Sequence, residues 1–307
     1  MKTNFIAFLV FAFSNFSYAQ KQKVVAVANG NCAEDKWSLE FEENFDGSKL
    51  NDSIWKNREY SQGSMSNEGV EVYCTPDNIT VENGICKIFA KTEMIERKAV
   101  NWKPDTLKLA DGLPNLRTYY HTAAWIETKK NYKYGKFEIR CKIPKEKGFW
   151  PAFWMYGQKN DVNNEIDVFE FWNPTNMVGK YNAKKLSKIH HMTVHYNKKM
   201  SGQSYQGPDF SKEFHTFSVV WDSTKIEWFV DGELKRSSTY YQTKRGKNID
   251  CKDLKDGKTY YINPVFPKDE MSIIANLAIQ TGENAPDTDT FSTSFEIDYI
   301  KYYKKVE

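Results

Sequence analysis

Apolar and polar residues alternate with a period of two through most of the chain, and turn signals interrupt the pattern roughly every 8–12 residues. Trp37-Ser38-Leu39-Glu40-Phe41 alternates and Asp46-Gly47 marks a turn. Residues 79–81 lead into Asn83-Gly84, a hairpin signal, and 85–91 resume as strand. In 137–143, Phe137, Ile139, Cys141 and Ile143 share one face, and Glu138, Arg140 and Lys142 the other. Residues 122–128, 150–156, 192–196, 214–221, 225–230, 271–280 and 295–303 also read as strands, with Asp231-Gly232 a second hairpin turn. Helical periodicity never lasts beyond a turn or two, and there is no repeat or low-complexity linker. The pattern predicts an all-β sandwich, one domain over 37–307, with a flexible polar lead-in at 20–36. Two stretches break the rhythm, 94–118 (with Pro104, Pro114 and Asp111-Gly112) and 236–268. Both read as long loops, which in compact domains often border a binding site.

One strand stands apart. Glu165-Ile166-Asp167-Val168-Phe169-Glu170 packs three carboxylates into six residues of β-forming apolar sequence. Alternation puts Glu165 and Asp167 on one face and Ile166 and Val168 on the other. Strict alternation would send Glu170 to the core and Phe169 to the acids. A one-residue bulge near Val168-Phe169 reverses this, returning Glu170 to the acidic face and Phe169 to the interior. Three acids on one face repel one another, and paired carboxylates are what glycosidic bond cleavage requires. A solvated polar strand edge is the plainer alternative.

Composition narrows the function. The 307 residues suffice for a large β core, and a net charge of +3 is too small to argue for a nucleic-acid partner. Aromatic residues make up 15%, which suits an all-β core or a sugar-stacking cleft. Zinc-type cysteine spacing and phosphate-cradling glycine loops are missing. Lys2, the apolar run 5–13 and the small residues around Ala19 read as a secretory signal over 1–19, too short to span a bilayer. Export to the periplasm or the medium is therefore expected. It permits disulfides among Cys32, Cys74, Cys86, Cys141 and Cys251; Cys74 and Cys86 flank a turn and could bridge neighbouring strands.

Gly148-Phe149-Trp150-Pro151-Ala152-Phe153-Trp154-Met155, followed by Asn164-Glu165-Ile166-Asp167-Val168-Phe169-Glu170, resembles glycoside hydrolase family 16. So do Trp221 with Val230-Asp231-Gly232, Asn276-Leu277-Ala278, and Phe295-Glu296-Ile297-Asp298-Tyr299-Ile300, in order from about Trp37 to the C-terminus. The resemblance implies a β-jelly-roll of two curved antiparallel sheets with a concave substrate cleft, and retaining endo-hydrolysis of β-linked polysaccharide; a monomer is expected. Carried over by position, Glu165 is the nucleophile, Glu170 the general acid/base, and Asp167 an auxiliary group hydrogen-bonded to the nucleophile. The spacing matches the bulged branch that holds laminarinases, agarases, porphyranases and carrageenases. The core motifs look like the laminarinase branch, so β-1,3- or mixed β-1,3/1,4-glucan is the expected substrate. A neutral or sulfated galactan is the alternative within the family, and a non-catalytic sugar-binding jelly roll the alternative outside it.

Cleft contacts follow from parity and resemblance. Trp150 and Trp172 are expected as sugar-stacking platforms, Trp154 as either platform or core, and Trp221 and Trp228 as core. Trp125 falls on a strand that lines the cleft in the family, though Tyr120-His121-Thr122-Ala123-Ala124-Trp125 departs from the family pattern. His195 is placed beside the catalytic strand, as substrate contact or structural histidine, while His190 and His191 read as loop-edge residues without a role. Asn276 and Gln280 share parity and could make polar cleft contacts. Catalysis needs no metal. The resemblance does imply a structural calcium on the convex side, at Asp298 and Gly84 with Glu43 as a third ligand.

Overall fold

A computed structural model of the chain describes residues 23–25, 36–57, 59–62, 72–98, 116–172, 183–280 and 284–306. The expected signal at 1–19 lies outside them. The strands, in chain order, are β1 Lys23–Val25, β2 Trp37–Glu43, β3 Trp55–Asn57, β4 Tyr60–Gln62, β5 Val72–Cys74, β6 Ile79–Glu82, β7 Ile85–Lys98, β8 Leu116–Thr128, β9 Gly135–Lys142, β10 Phe149–Lys159, β11 Val162–Glu170, β12 Ile189–Tyr196, β13 Lys199–Gln206, β14 His215–Trp221, β15 Lys225–Val230, β16 Glu233–Thr239, β17 Tyr241–Gln242, β18 Thr259–Ile262, β19 Ser272–Ile279 and β20 Ser292–Lys305.

Two curved antiparallel layers form the jelly-roll sandwich. One layer runs β3-β8-β19-β10-β11-β12-β13. The other runs β6-β7-β20-β9-β14-β15-β16, with β2 also pairing β20. The long β7–β8 ladder ties them together. Alternation built the core as expected: Phe137, Ile139 and Cys141 of β9, Phe153 and Met155 of β10, Ile166 of β11 and Phe217 and Val219 of β14 are all buried between the layers. Trp221 and Trp228 are core residues, as expected. No helix among the described residues is long and apolar enough to cross a membrane.

Turn chemistry fixes the registers that matter. Asn83-Gly84 and Asp231-Gly232 close two-residue hairpins with positive φ at both positions (52° and 75°, 50° and 82°). Asn160-Asp161 (49°, 60°) joins β10 to β11, and Asn197-Lys198 (48°, 62°) joins β12 to β13. The last two turns flank the acidic strand and hold its neighbours in register.

Several expectations are corrected. The interruption at 94–118 is narrower than its prolines and charges implied. β7 continues to Lys98 and β8 begins at Leu116, with Ile95 opposite Tyr119 and Lys98 opposite Leu116. The stretch 236–268 contains the end of β16 and the strands β17 and β18. The lead-in carries β1, which pairs with β18 as Lys23↔Tyr261 and Val25↔Thr259, so that part is tied down by a ladder. Cys74 and Cys86 do not bridge: neither they nor Cys141 is in a disulfide and all three are buried, while Cys251 is disulfide-bonded. His190 and His191 belong to β12 and are buried, because the helical turn 183–188 ends where the strand begins.

His190 has a stability consequence. Both ring nitrogens lack hydrogen-bond partners, and the ring is packed among Phe171, Tyr205, Phe210 and Phe217. Burial pulls its pKa down to about 3. The unfolded chain therefore takes up a proton near pH 6.5 that the folded chain refuses until about pH 3. Folding stability falls by about 1.4 kcal/mol per pH unit across that window from this group alone. His190→Leu is expected to remove that slope, so the gap in denaturant midpoint between variant and parent should widen steadily from pH 6.5 to pH 4. A constant gap would refute this.

Candidate active site

The bulge lies where the sequence placed it. On the β10 side, Trp154 faces Asp167 and Phe153 faces Phe169, so Val168 is the extra residue. On the β12 side, Asp167 faces Thr193 and Glu170 faces His191, leaving Met192 opposite both Val168 and Phe169. Val168 and Phe169 are both buried, and Phe169 packs against Phe153 and Phe217 with ring centroids 6.3 Å and 4.6 Å away. Burying a Phe side chain stabilises by about 1.5–3 kcal/mol. A one-residue slip would forfeit that and turn the acids inward.

Registered neighbours share a face, so the pairings give rows across the groove. Ser272, Tyr156, Glu165, His195 and Met200 form one row. Ile274, Trp154, Asp167, Thr193 and Gly202 form the next. Trp125, Asn276, Ala152, Glu170, His191 and Ser204 form the third. A pocket of about 480 Å³ opens over these rows, lined by all three acids together with Trp150, Trp154, Trp172, His195 and Asn276. Thr193, Met200, Ala152 and Ala278 also line it and were not foreseen. The two alanines are small, which deepens the floor beside Glu170.

The acids differ in environment. Asp167 is buried, whereas Glu165 and Glu170 keep part of their surface open to the groove. Burial first, then the charges of Asp167 and Glu165, push the Glu170 carboxyl well above its usual range; His195 and a hydrogen bond from the Trp150 indole oppose this and lose. Burial and then the charge of Glu165 also push Asp167 well up, against the Arg236 cation. His195 Nε2 stands 3.5 Å from Asp167 Oδ2 and 3.9 Å from Glu165 Oε1. The arrangement favours the protonated form at the Glu170 end, while Glu165 keeps part of its surface open to the groove. That is the asymmetry a paired-carboxylate reaction uses.

The aromatic residues form two groups. Trp150 and Trp172 stack with centroids 5.4 Å apart and planes 26° from parallel. Trp154 Nε1 donates to Asn276 Oδ1 at 2.8 Å, so Asn276 fixes the orientation of that ring. Trp125 is 4% exposed and its ring sits 6.5 Å from Trp154. It packs against Trp154, and little of its own surface is open. Gln280 lines a small hollow with Lys147 and Leu186 that shares Trp172 with the groove.

His191 is a residue that sequence reading missed. Its Nε2 is 3.0 Å from the carbonyl of Trp172 and its Nδ1 2.8 Å from Ser204 Oγ. A carbonyl only accepts, so Nε2 carries the proton and Nδ1 accepts from the serine. The neutral ring anchors the backbone of the Trp172 platform just after the acidic strand. Its parity with Glu170 across the bulge was the available signal.

The calcium expectation does not fit the residues present. Both Glu43 oxygens are engaged, Oε1 by Phe45 N at 2.9 Å and Oε2 by Trp55 Nε1 at 3.0 Å. Asp298 is bonded to the Arg140 guanidinium, which brings a positive charge to the place where a cation would sit. That leaves only the Gly84 carbonyl of the three, whereas calcium takes six to eight oxygens. The expected result is that a chelator leaves the melting temperature unchanged while Arg140→Ala lowers it; a chelator-induced drop would restore the calcium.

Fold and groove together define a class: a jelly-roll hydrolase whose carboxylate strand lines an aromatic cleft. The model of glycosyl hydrolases family 16 matches residues 94–301. The chain is 29% identical over 289 residues to a glucan endo-1,3-beta-glucosidase of Cryptopygus antarcticus, covering 88% of this chain and 93% of that one. It is 25% identical to a beta-glucanase of Rhodothermus marinus, covering 88% and 86%. The laminarinase catalytic domain of Thermotoga maritima superposes with a TM-score of 0.62 at 28% identity, covering 89% of this chain and all of that one. The chain belongs to glycosyl hydrolases family 16 and is a glycosidase acting on O-glycosyl bonds with retention.

Proposed function

We propose that the protein is an exported, monomeric endo-hydrolase of β-1,3- or mixed β-1,3/1,4-glucan. Glu165 is the nucleophile, Glu170 the acid/base and Asp167 the auxiliary carboxyl. The observation that carries the site assignment is the bulge at Val168, which turns all three acids into one groove. The glucanase names of its relatives support the substrate class, and the disulfide at Cys251 supports export.

The chemistry follows from the environments. Glu165 attacks the anomeric carbon while Glu170, held protonated by burial and its acidic neighbours, delivers its proton to the leaving oxygen. The glycosyl–Glu165 ester is then hydrolysed by water that Glu170, now anionic, deprotonates. Asp167 bears on Glu165 from the adjacent row, so the three carboxyls titrate as one coupled set. Trp154 and the Trp150–Trp172 stack offer flat apolar faces to sugar rings on either side of the reacting bond.

The deciding experiment is a digest of laminarin, lichenan, agarose, porphyran and carrageenan with reducing-end release measured. Release from the two glucans is expected. Release from the galactans alone would overturn the substrate class and leave the site assignment standing.

A further inference from the structure

The bulge interrupts the ladder, and interrupted ladders leave buried carbonyls that need other donors. Two residues of the opposite layer reach through the core to supply them. Trp228 of β15 donates from Nε1 to the carbonyl of Asp167, the residue just before the bulge, at 2.8 Å. Arg236 of β16 donates from Nη1 to the carbonyl of Met192, the residue facing the bulge. Its Nη2 reaches Ser201 O at 2.9 Å and Ser201 Oγ at 3.1 Å on β13. The guanidinium lies over the Trp228 ring at 4.4 Å, and the two residues face each other across the β15–β16 ladder.

Arg236 is 6% exposed, and among the described residues no carboxylate lies within ion-pair distance of it. A buried, unpaired guanidinium is costly for stability, and a methionine of similar length would fill the space without that penalty. Burial lowers its pKa only to about 10, so it stays cationic at neutral pH, and Asp167 is the carboxyl whose charge opposes that shift.

We propose that Trp228 and Arg236 are positioning residues for the reaction: from behind the sheet they hold both sides of the bulge and so fix Glu170 relative to Glu165. Neither touches the groove, so their removal acts on the chemical step and leaves substrate binding intact. Arg236 has a second effect. The charged groups around Asp167 are Glu165 and Glu170 on its own strand, His195 from β12 and Arg236 from β16; β10 presents Trp154 and Ala152. The Arg236 cation is the buried counter-charge of that set.

This inference rests on the assignment of Glu165 and Glu170, so the assay on laminarin includes Glu165→Gln. Full activity in that variant would remove the site assignment itself, whatever the others do. With Glu165→Gln inactive, Arg236→Met is expected to lower kcat about 100-fold, the order expected for a small misplacement of reacting groups. KM should stay within about twofold and active sites should be counted by titration. Loss of the cation strengthens proton binding by the acids, so the acid limb of the kcat/KM profile moves to higher pH. Arg236→Lys keeps the charge and part of the hydrogen bonding; it should restore the limb and only part of kcat. Trp228→Phe should lower kcat and leave the limb in place. A lower melting temperature with parental kcat per active site in both Arg236→Met and Trp228→Phe would make the pair merely structural and overturn the proposal.

Discussion

Replacing Glu165 by alanine lowers kcat/KM on laminarin by about 10⁴-fold or more, and replacing Glu170 does the same on that substrate, because each removes one half of a two-step displacement. The two variants should part company on an aryl β-oligoglucoside with a good leaving group. Such a phenolate departs without a proton, so Glu170→Ala still forms the ester on Glu165 and then stalls for want of a base. Azide needs no base and should release the β-glycosyl azide from that variant. In Glu165→Ala, azide can occupy the cavity on the opposite face and attack directly, giving the α-glycosyl azide. The anomeric configuration of the azide product, read by NMR, assigns each carboxylate without reference to any relative. The same anomer from both variants, or more than about a hundredth of parental turnover in Glu165→Ala, would break the assignment.

The acidic strand is legible in the sequence because its physics is local. Three carboxylates cannot share a face of Glu165-Ile166-Asp167-Val168-Phe169-Glu170 unless one residue bulges out, and the apolar size of Val168 and Phe169 says where. The strands carrying Trp154 and Asn276 followed from period-two patterning for the same reason. What failed was long-range. The burial of Trp125 involves Trp154, packed against it from a strand two places away in the sheet, and no spacing within 120–125 records that. His191 looked like a loop residue because a helical turn ends directly at Ile189, with no turn residue to mark the change. Asn160-Asp161 and Asn197-Lys198 were legible in principle, since Asn and Asp tolerate positive φ, but neither carries the glycine that makes such turns conspicuous. The calcium expectation came from resemblance alone; the Arg140–Asp298 pair joins β9 to β20 and is invisible in either strand taken singly.

The second large effect concerns pH. The proton on Glu170 is held by burial first and by the charges of Asp167 and Glu165 next. As the proposed acid/base, Glu170 must be protonated when the bond breaks, so activity is expected to be lost as pH rises through its raised pKa. The basic limb of kcat/KM is therefore expected above the ordinary carboxylate range. Asp167→Asn keeps the shape of the side chain and removes one titratable group from the coupled set. Glu170 then loses a neighbour that favours its neutral form, and the basic limb moves to lower pH. The Asn amide also presents donors where Asp167 could share a proton with Glu165, so kcat at the new optimum should fall by about 100-fold, within the range for acid/base groups. His195, 3.5 Å from Asp167 Oδ2, also lowers the Glu170 pKa when it carries a proton, so His195→Gln in the same background isolates the carboxylate effect. A basic limb that stays put in Asp167→Asn would mean that burial alone sets the Glu170 proton affinity, and that the third acid serves geometry and not charge.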